Sequence, residues 1–186
     1  MAKINLELKK FGMRSWVVLA VVGVRIFRRW GEIGLIWPEA LLVLAGWAVG
    51  YFLSDLDDWI YVLVTHPHEL TSRRVWDLLS LGKWGAAREM LMSTREERER
   101  LPIHNALTGL VVSGVGLWVI SSSGSPLGWG VTLGLSVRLW WGLVMEKNYQ
   151  KWYWLVARKI NLVEHKVLAG VWGVLIALQI VLLIRG

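Results

Sequence analysis

The chain has 186 residues, of which 55% are hydrophobic and 19% charged, whereas soluble domains carry about a quarter charged residues. It holds 14 tryptophans and no cysteine, which excludes disulfides, thiol catalysis and thiolate metal sites. The net charge of +7 does not point to nucleic acid, because Lys and Arg flank apolar blocks and no nucleic-acid motif accompanies them.

With a mean hydropathy of +0.46 and its apolar residues gathered in blocks, the chain reads as one integral membrane domain, residues 1–186. Residues 1–15 alternate apolar and charged positions and read as a short interfacial helix, with Lys3, Lys9, Lys10 and Arg14 available to lipid phosphates. No small-residue cleavage site follows the apolar stretch from Trp16, so this end is expected to be retained. Trp16–Phe27 is apolar except for Arg25. As a helix it reaches about 18 Å, short of the roughly 30 Å bilayer core. It spans if Arg14 and Arg25 snorkel from its two ends, and otherwise lies in the interface or re-enters.

Arg28-Arg29-Trp30-Gly31 breaks the run, and Pro38 suits the first turn of a helix from about Pro38 to Leu53. The uncharged run Ala40–Leu53 ends in Ser54-Asp55-Leu56-Asp57-Asp58. The helix either stops there or continues through Trp59–Val64. Residues 65–102 form a polar insertion, with Val75, Leu78, Leu79, Trp84, Ala87, Met90 and Leu91 at helical spacing. This spacing predicts two short amphipathic helices split at Gly82, lying on the membrane edge and covering the acidic cluster. Thr94-Arg95-Glu96-Glu97 reads as a capping box, and Pro102 stops the charged turn it opens. Ile103–Ile120 is long enough to span, and its glycines at 109, 114 and 116 permit close helix contact. After the uncharged turn Ser121–Pro126, a block from Leu127 to about Met145 is interrupted only by Arg138. Residues 146–166 are polar and aromatic, like an interfacial belt, and Val167–Ile184 is the last span.

The turn at 121–126 has no Lys or Arg, whereas 54–102 has seven and 146–166 has five. Both basic segments are therefore expected in the cytoplasm. The same count places Arg28 and Arg29 outside, against the rule. The expected fold is an all-α polytopic membrane bundle of four to five transmembrane helices. A cytoplasmic amphipathic segment separates its second and third apolar blocks.

Ionisable groups at a membrane edge are costly unless they pair, bind a metal or reach water. The ends of two apolar blocks bring Asp55, Asp57, Asp58, His66, His68 and His104 toward one edge, a set of carboxylates and imidazoles that suits Zn, Mn or Fe. Such a metal could activate water. His66-Pro67-His68 reads first as an exposed turn; folded back, it would add two imidazoles. No histidine lies in the middle of an apolar block, which argues against a membrane haem, and His165 at a helix end reads as an interfacial residue. Trp37, Trp59, Trp129, Trp152 and Trp154 fall near block ends, as aromatic belts do. Trp47, Trp118, Trp140, Trp141 and Trp172 lie inside blocks and are expected to fill space between small-residue helices.

The order of these features resembles that of the bacterial membrane-bound metal-dependent hydrolases. That family carries Pro-Asp-(Leu/Ile)-Asp-His after a membrane helix, then a His-Arg-Gly-x-Thr-His-Ser motif, then His and Asp four residues apart on a later helix. Here the first motif reads Ser54-Asp55-Leu56-Asp57-Asp58, the second aligns with Glu99-Arg100-Leu101-Pro102-Ile103-His104-Asn105, and the third with Leu133–Gly142. Asp55, Asp57 and His104 match ligand positions and are the catalytic candidates that the resemblance implies. Asp58 and Glu99 stand where the family has His, and the His–Asp pair becomes Arg138 and Gly142. A guanidinium stays protonated and repels a cation. Arg138 against Asp55 or Asp57 is therefore the expected structural ion pair.

Two functional readings come out of these residues. The first is a non-catalytic membrane subunit or scaffold with a degenerate metal site, packed in the lipid bilayer against other membrane proteins or a second copy. The second is an active membrane-bound hydrolase using Zn, Mn or Fe on a lipid-like substrate. Both place the chain in a cell membrane of the bacterial inner-membrane type, with 54–102 and 146–166 cytoplasmic.

Overall fold

The computed structural model describes residues 2–28, 33–94, 98 and 101–185, and for 2–14 and 33–36 the backbone alone. Among these residues the chain is all-helical. The helices are α1 (Ala2–Arg28), α2 (Ile33–Leu53), α3 (Leu56–Ile60), α4 (Leu70–Ser80), α5 (Trp84–Ser93), α6 (Ala106–Ser122), α7 (Pro126–Met145) and α8 (Leu162–Arg185). A π-helical turn, Tyr61–Thr65, follows α3, and a 3₁₀ turn, Tyr149–Tyr153, precedes α8. Among the described residues two stretches are long and apolar enough to cross a membrane: Trp37–Thr65, interrupted by a turn at Ser54–Asp55, and α8. The helix α6 is apolar but shorter.

Two local outcomes differ from the sequence expectations. The N-terminal segment and first apolar block are not separate elements: no proline removes a backbone donor between 2 and 28, and α1 runs through unbroken. The second helix starts at Ile33, so Pro38 lies inside it rather than in its first turn. The break expected at Arg28–Gly31 and the capping box at Thr94–Glu97 fall largely outside the described residues.

Glycines set the contact between α2 and α7. A Cβ on Gly46 or Gly50 of α2 would overlap the carbonyl oxygen of Leu127 or Val131 on α7. A Cβ on Gly130 or Gly134 of α7 would overlap the carbonyl oxygen of Val43 or Trp47 on α2. Two Gly-x-x-x-Gly pairs therefore face each other and let the backbones touch, as small residues do between membrane helices. Val43 meets Gly130, Trp47 meets Gly134 and Tyr51 meets Arg138, a constant offset that makes the two helices parallel. This packing fixes the acidic end of α2 beside the second half of α7.

Helices α6 and α8 are also parallel. The Trp172 ring fills the space at Gly109, and Gln179 fills that at Gly116. Ser113 ties both residues down: its Oγ accepts from Trp172 Nε1 (2.6 Å) and its carbonyl from Gln179 Nε2 (2.7 Å). Gly114 points outward with nothing within 4 Å, so only two of the three glycines of this helix make the expected contact. Trp47 and Trp172 are fully buried, whereas Trp118 is 68% exposed and fills no internal space.

Helix α1 closes the bundle. Trp47 Nε1 donates to Ser15 Oγ at 3.3 Å, and Arg25 pairs with Glu39 at 2.8 Å. Arg25 and Arg28 donate to the carbonyls of Leu183 and Ile184, each at 2.8 Å. These carbonyls lie in the last turn of α8, where no intrahelical donor remains. One edge therefore gathers the C-terminal ends of α1 and α8, and the opposite edge the C-terminal ends of α2 and α7 with α3–α5.

Polar groups are buried within an apolar core, and the exterior carries apolar stripes as well. Arg25, Asp57, Ser113, Ser136, Arg138 and Gln179 are buried, while Leu107, Val111, Val115 and Trp118 on α6 and Val167, Val171, Val174, Leu178 and Val181 on α8 are exposed at helical spacing. Buried charges and exposed apolar stripes are both uncommon in soluble domains.

Candidate functional site

The acidic cluster sits at a bend that its own residues make. Ser54 Oγ donates to the Tyr51 carbonyl (3.2 Å) and Asp55 N to that of Phe52 (2.9 Å), which closes α2 and restarts the chain as α3. Such hydroxyl back-bonding bends helices. The restart turns Asp57 and Asp58 inward and leaves Asp55 on the rim, its side chain 28% exposed.

Each carboxylate meets a different partner. Arg138 Nη2 reaches Asp55 Oδ1 at 3.4 Å, while Nε donates to Ser54 Oγ (3.3 Å) and Nη1 to Tyr51 Oη (3.4 Å). The guanidinium also lies 4.8 Å over the Tyr51 ring, a cation–π placement. Arg98, itself buried, donates to Asp58 Oδ1, and its Nη2 donates to the Leu91 carbonyl (2.6 Å) and Thr94 Oγ1 (3.0 Å). It thus neutralises Asp58 and caps the last turn of α5 together.

Asp57 carries out a third kind of pairing. Its Oδ2 accepts from Ile103 N (2.9 Å), His104 N (2.7 Å) and His104 Nδ1 (3.0 Å). A carboxylate oxygen only accepts, so Nδ1 carries the proton and the ring lone pair of a neutral His104 is on Nε2. These bonds clamp the segment entering α6, which Asn105 then starts by accepting from Leu107 N at 2.8 Å. Asp57 Oδ1 is buried without a hydrogen-bond partner.

The six candidate metal ligands do not converge. Asp57 and His104 are brought together; Asp55 and Asp58 each face a guanidinium. His66 stacks on Tyr61 at 4.3 Å, its backbone N–H closing the π turn on the Tyr61 carbonyl, and His68 is exposed. Among the described residues no group of three or more His, Asp or Glu side chains is placed to hold a metal. Glu99 lies outside those residues. At Gly142 a Cβ would come within 2.9 Å of the Trp152 ring, and the same indole lies 5.5 Å from His104. Trp152 is therefore a buried wall beside His104 rather than a belt residue.

Beside this wall the 3₁₀ turn grips α8. His165 is buried, stacked on Tyr149 at 4.5 Å, with Tyr153 Oη 3.0 Å from its Nδ1. Burial, reinforced by Tyr149 nearby, pushes the Tyr153 hydroxyl from 10.0 up to about 12. His165 is thus part of a packed aromatic clip at the start of α8.

The sequence reading assigns no role to Arg98 or Glu39, and it puts Trp152 in the aromatic belt rather than beside His104. Arg98 hides in the alternating charges of 94–100, which resemble a solvated turn. Glu39 follows Pro38 with no periodicity tying it to Arg25. Comparison with known proteins adds no identity: no protein family, curated protein or solved structure matches the chain.

Proposed function

We propose that the chain is a multi-pass membrane protein on a scaffold like that of the membrane-bound metal-dependent hydrolases, serving as a non-catalytic structural or partner-binding subunit. The observation that carries this reading is Arg138 Nη2 at 3.4 Å from Asp55 Oδ1, a fixed cation where the resembled family keeps a metal ligand. Two neighbours support it. Arg98 occupies Asp58, and the Trp152 indole occupies the space at Gly142 that a longer side chain would need. Guanidinium and indole are both poor neighbours for a divalent cation.

The membrane part of the proposal has α1, α2, α6, α7 and α8 as five spans. The apolar exterior supports it, as do the helix lengths, about 25 Å for α6 and about 30–40 Å for the rest. Alternating directions put the N-terminal segment and the two basic segments on the acidic edge, taken as cytoplasmic. Arg25 and Arg28 then sit at the opposite edge, where capping α8 accounts for the presence of Arg28 against the charge rule.

The Asp57–His104 dyad favours the second reading, an active hydrolase, because it orients an imidazole as general bases are oriented. Thermal unfolding in detergent separates the two. Under the first, Arg138→Leu lowers stability by about 1–3 kcal/mol, discounted from a fully buried pair because Asp55 is partly exposed. Added Zn²⁺, Mn²⁺ or Fe²⁺ leaves the wild-type midpoint unchanged. A midpoint that rises with one of these ions, and an Arg138→Leu variant as stable as wild type, would reverse the choice.

A further inference from the structure

The hairpin of α4 and α5 has an outer surface that the acidic site does not use. Its inner face packs on its own small core, where Tyr61, Val62, Val75, Ala87, Leu91 and Leu101 are buried. Its turn is a closed one: Lys83 N donates to the Leu78 carbonyl and Gly82 N to that of Leu79, both at 2.9 Å, with Gly82 at φ +69°. This is the Schellman geometry, which needs glycine at the left-handed position. Arg98 ties the last turn of α5 to Asp58. The hairpin is thus a built element whose outward side chains are set by its own packing.

Outward it presents Leu70 (76% exposed), Leu81 (66%) and Trp84 (65%). Leu70, Arg74 and Leu81 fall on one stripe of α4, and Leu81, Lys83 and Trp84 crowd the tip. Arg73, Arg74, Lys83 and Arg88 are exposed around them. Asp77 shares the stripe, but Arg73 and Arg74 lie four and three residues before it and offset its charge. Leu56, Ile60, Leu63 and Val64, in the stretch of chain between α2 and the hairpin, are exposed as well. Large apolar side chains interleaved with Arg and Lys match the headgroup–acyl boundary.

We propose that the α4–α5 hairpin docks into the phospholipid leaflet at the acidic edge. Leu70, Leu81 and Trp84 enter the acyl boundary, and Arg73, Arg74, Lys83 and Arg88 meet lipid phosphates. The site then sits at headgroup level beneath a lipid-anchored cover rather than in open water. This rests on the membrane reading above.

The absence of cysteine makes the test direct. Single spin labels on Leu70→Cys, Leu81→Cys and Trp84→Cys are read in liposomes of phosphatidylcholine and phosphatidylglycerol. Collision with oxygen is compared with collision with a water-soluble nickel chelate. Val171→Cys on the bundle exterior and Arg158→Cys on an exposed loop serve as lipid and water standards. The expected result is oxygen collision exceeding nickel collision severalfold at all three hairpin positions. Nickel collision equal to that at Arg158→Cys, with Val171→Cys still reading lipid, would overturn the docking alone. So would protection from both reagents, which would mean that a protein covers this face. A water-like Val171→Cys label would instead overturn the membrane reading, and the docking with it.

Discussion

Removing the Arg98 guanidinium is the sharpest single perturbation available in this chain. The Arg98 and Asp58 side chains are only 3% and 9% exposed, so Arg98→Met strands a carboxylate away from water. Breaking such a buried pair costs about 3–5 kcal/mol, whereas the more exposed Asp55–Arg138 pair falls well below that. Asp58→Asn should cost a similar amount by stranding the guanidinium. The double variant carries neither charge and loses chiefly the hydrogen bonds to Leu91 and Thr94, roughly 1–2 kcal/mol. A double-mutant cycle by denaturant unfolding in mixed micelles is therefore expected to give a coupling energy of several kcal/mol. Single variants within about 1 kcal/mol of wild type, or strictly additive effects, would refute the assignment of Arg98 as the counter-charge of Asp58.

Gly50→Ala should cost more than the usual 1–3 kcal/mol of overpacking, because its new methyl meets the Val131 backbone, which cannot rotate away. Gly114→Ala, facing open space, should be neutral or slightly stabilising, and unfolding of the two variants side by side checks the contrast. The Tyr153 proton is held more tightly in the folded state, since its pKa is raised from 10.0 to about 12. Its stabilisation is therefore complete below pH 10 and lost as pH rises through 12. The tyrosinate absorbance difference between wild type and Tyr153→Phe should emerge near pH 12, and emergence near pH 10 would contradict the burial.

The helical class is legible in the apolar blocks, because a helix satisfies its own backbone and each block records itself locally. The partners in the site are not local. Asp55, Asp57 and Asp58 look alike in sequence, and the Ser54 bend decides that one meets Arg138, one the backbone before α6 and one Arg98. Spacing shows glycines but not which side of a helix they take, so Gly109, Gly114 and Gly116 look equivalent although Gly114 alone faces out. Conversely, Gly46, Gly50, Gly130 and Gly134 are visible as Gly-x-x-x-Gly pairs, yet their mutual contact appears only when α2 and α7 lie parallel. Arg28, one of the two arginines that violate the charge rule on paper, and Arg25 beside it look unexplained because their targets, the carbonyls of Ile184 and Leu183, carry no side-chain signature.

The central claim is that fixed cations and backbone donors, not a metal, balance the acidic edge. Metal content of the detergent-solubilised protein by mass spectrometry, with Asp57→Ala as control, tests it most directly. The account predicts no Zn, Mn or Fe above the control. Near-stoichiometric metal in the wild type, lost in Asp57→Ala, would contradict it and return His66, His68 and His104 to consideration as ligands.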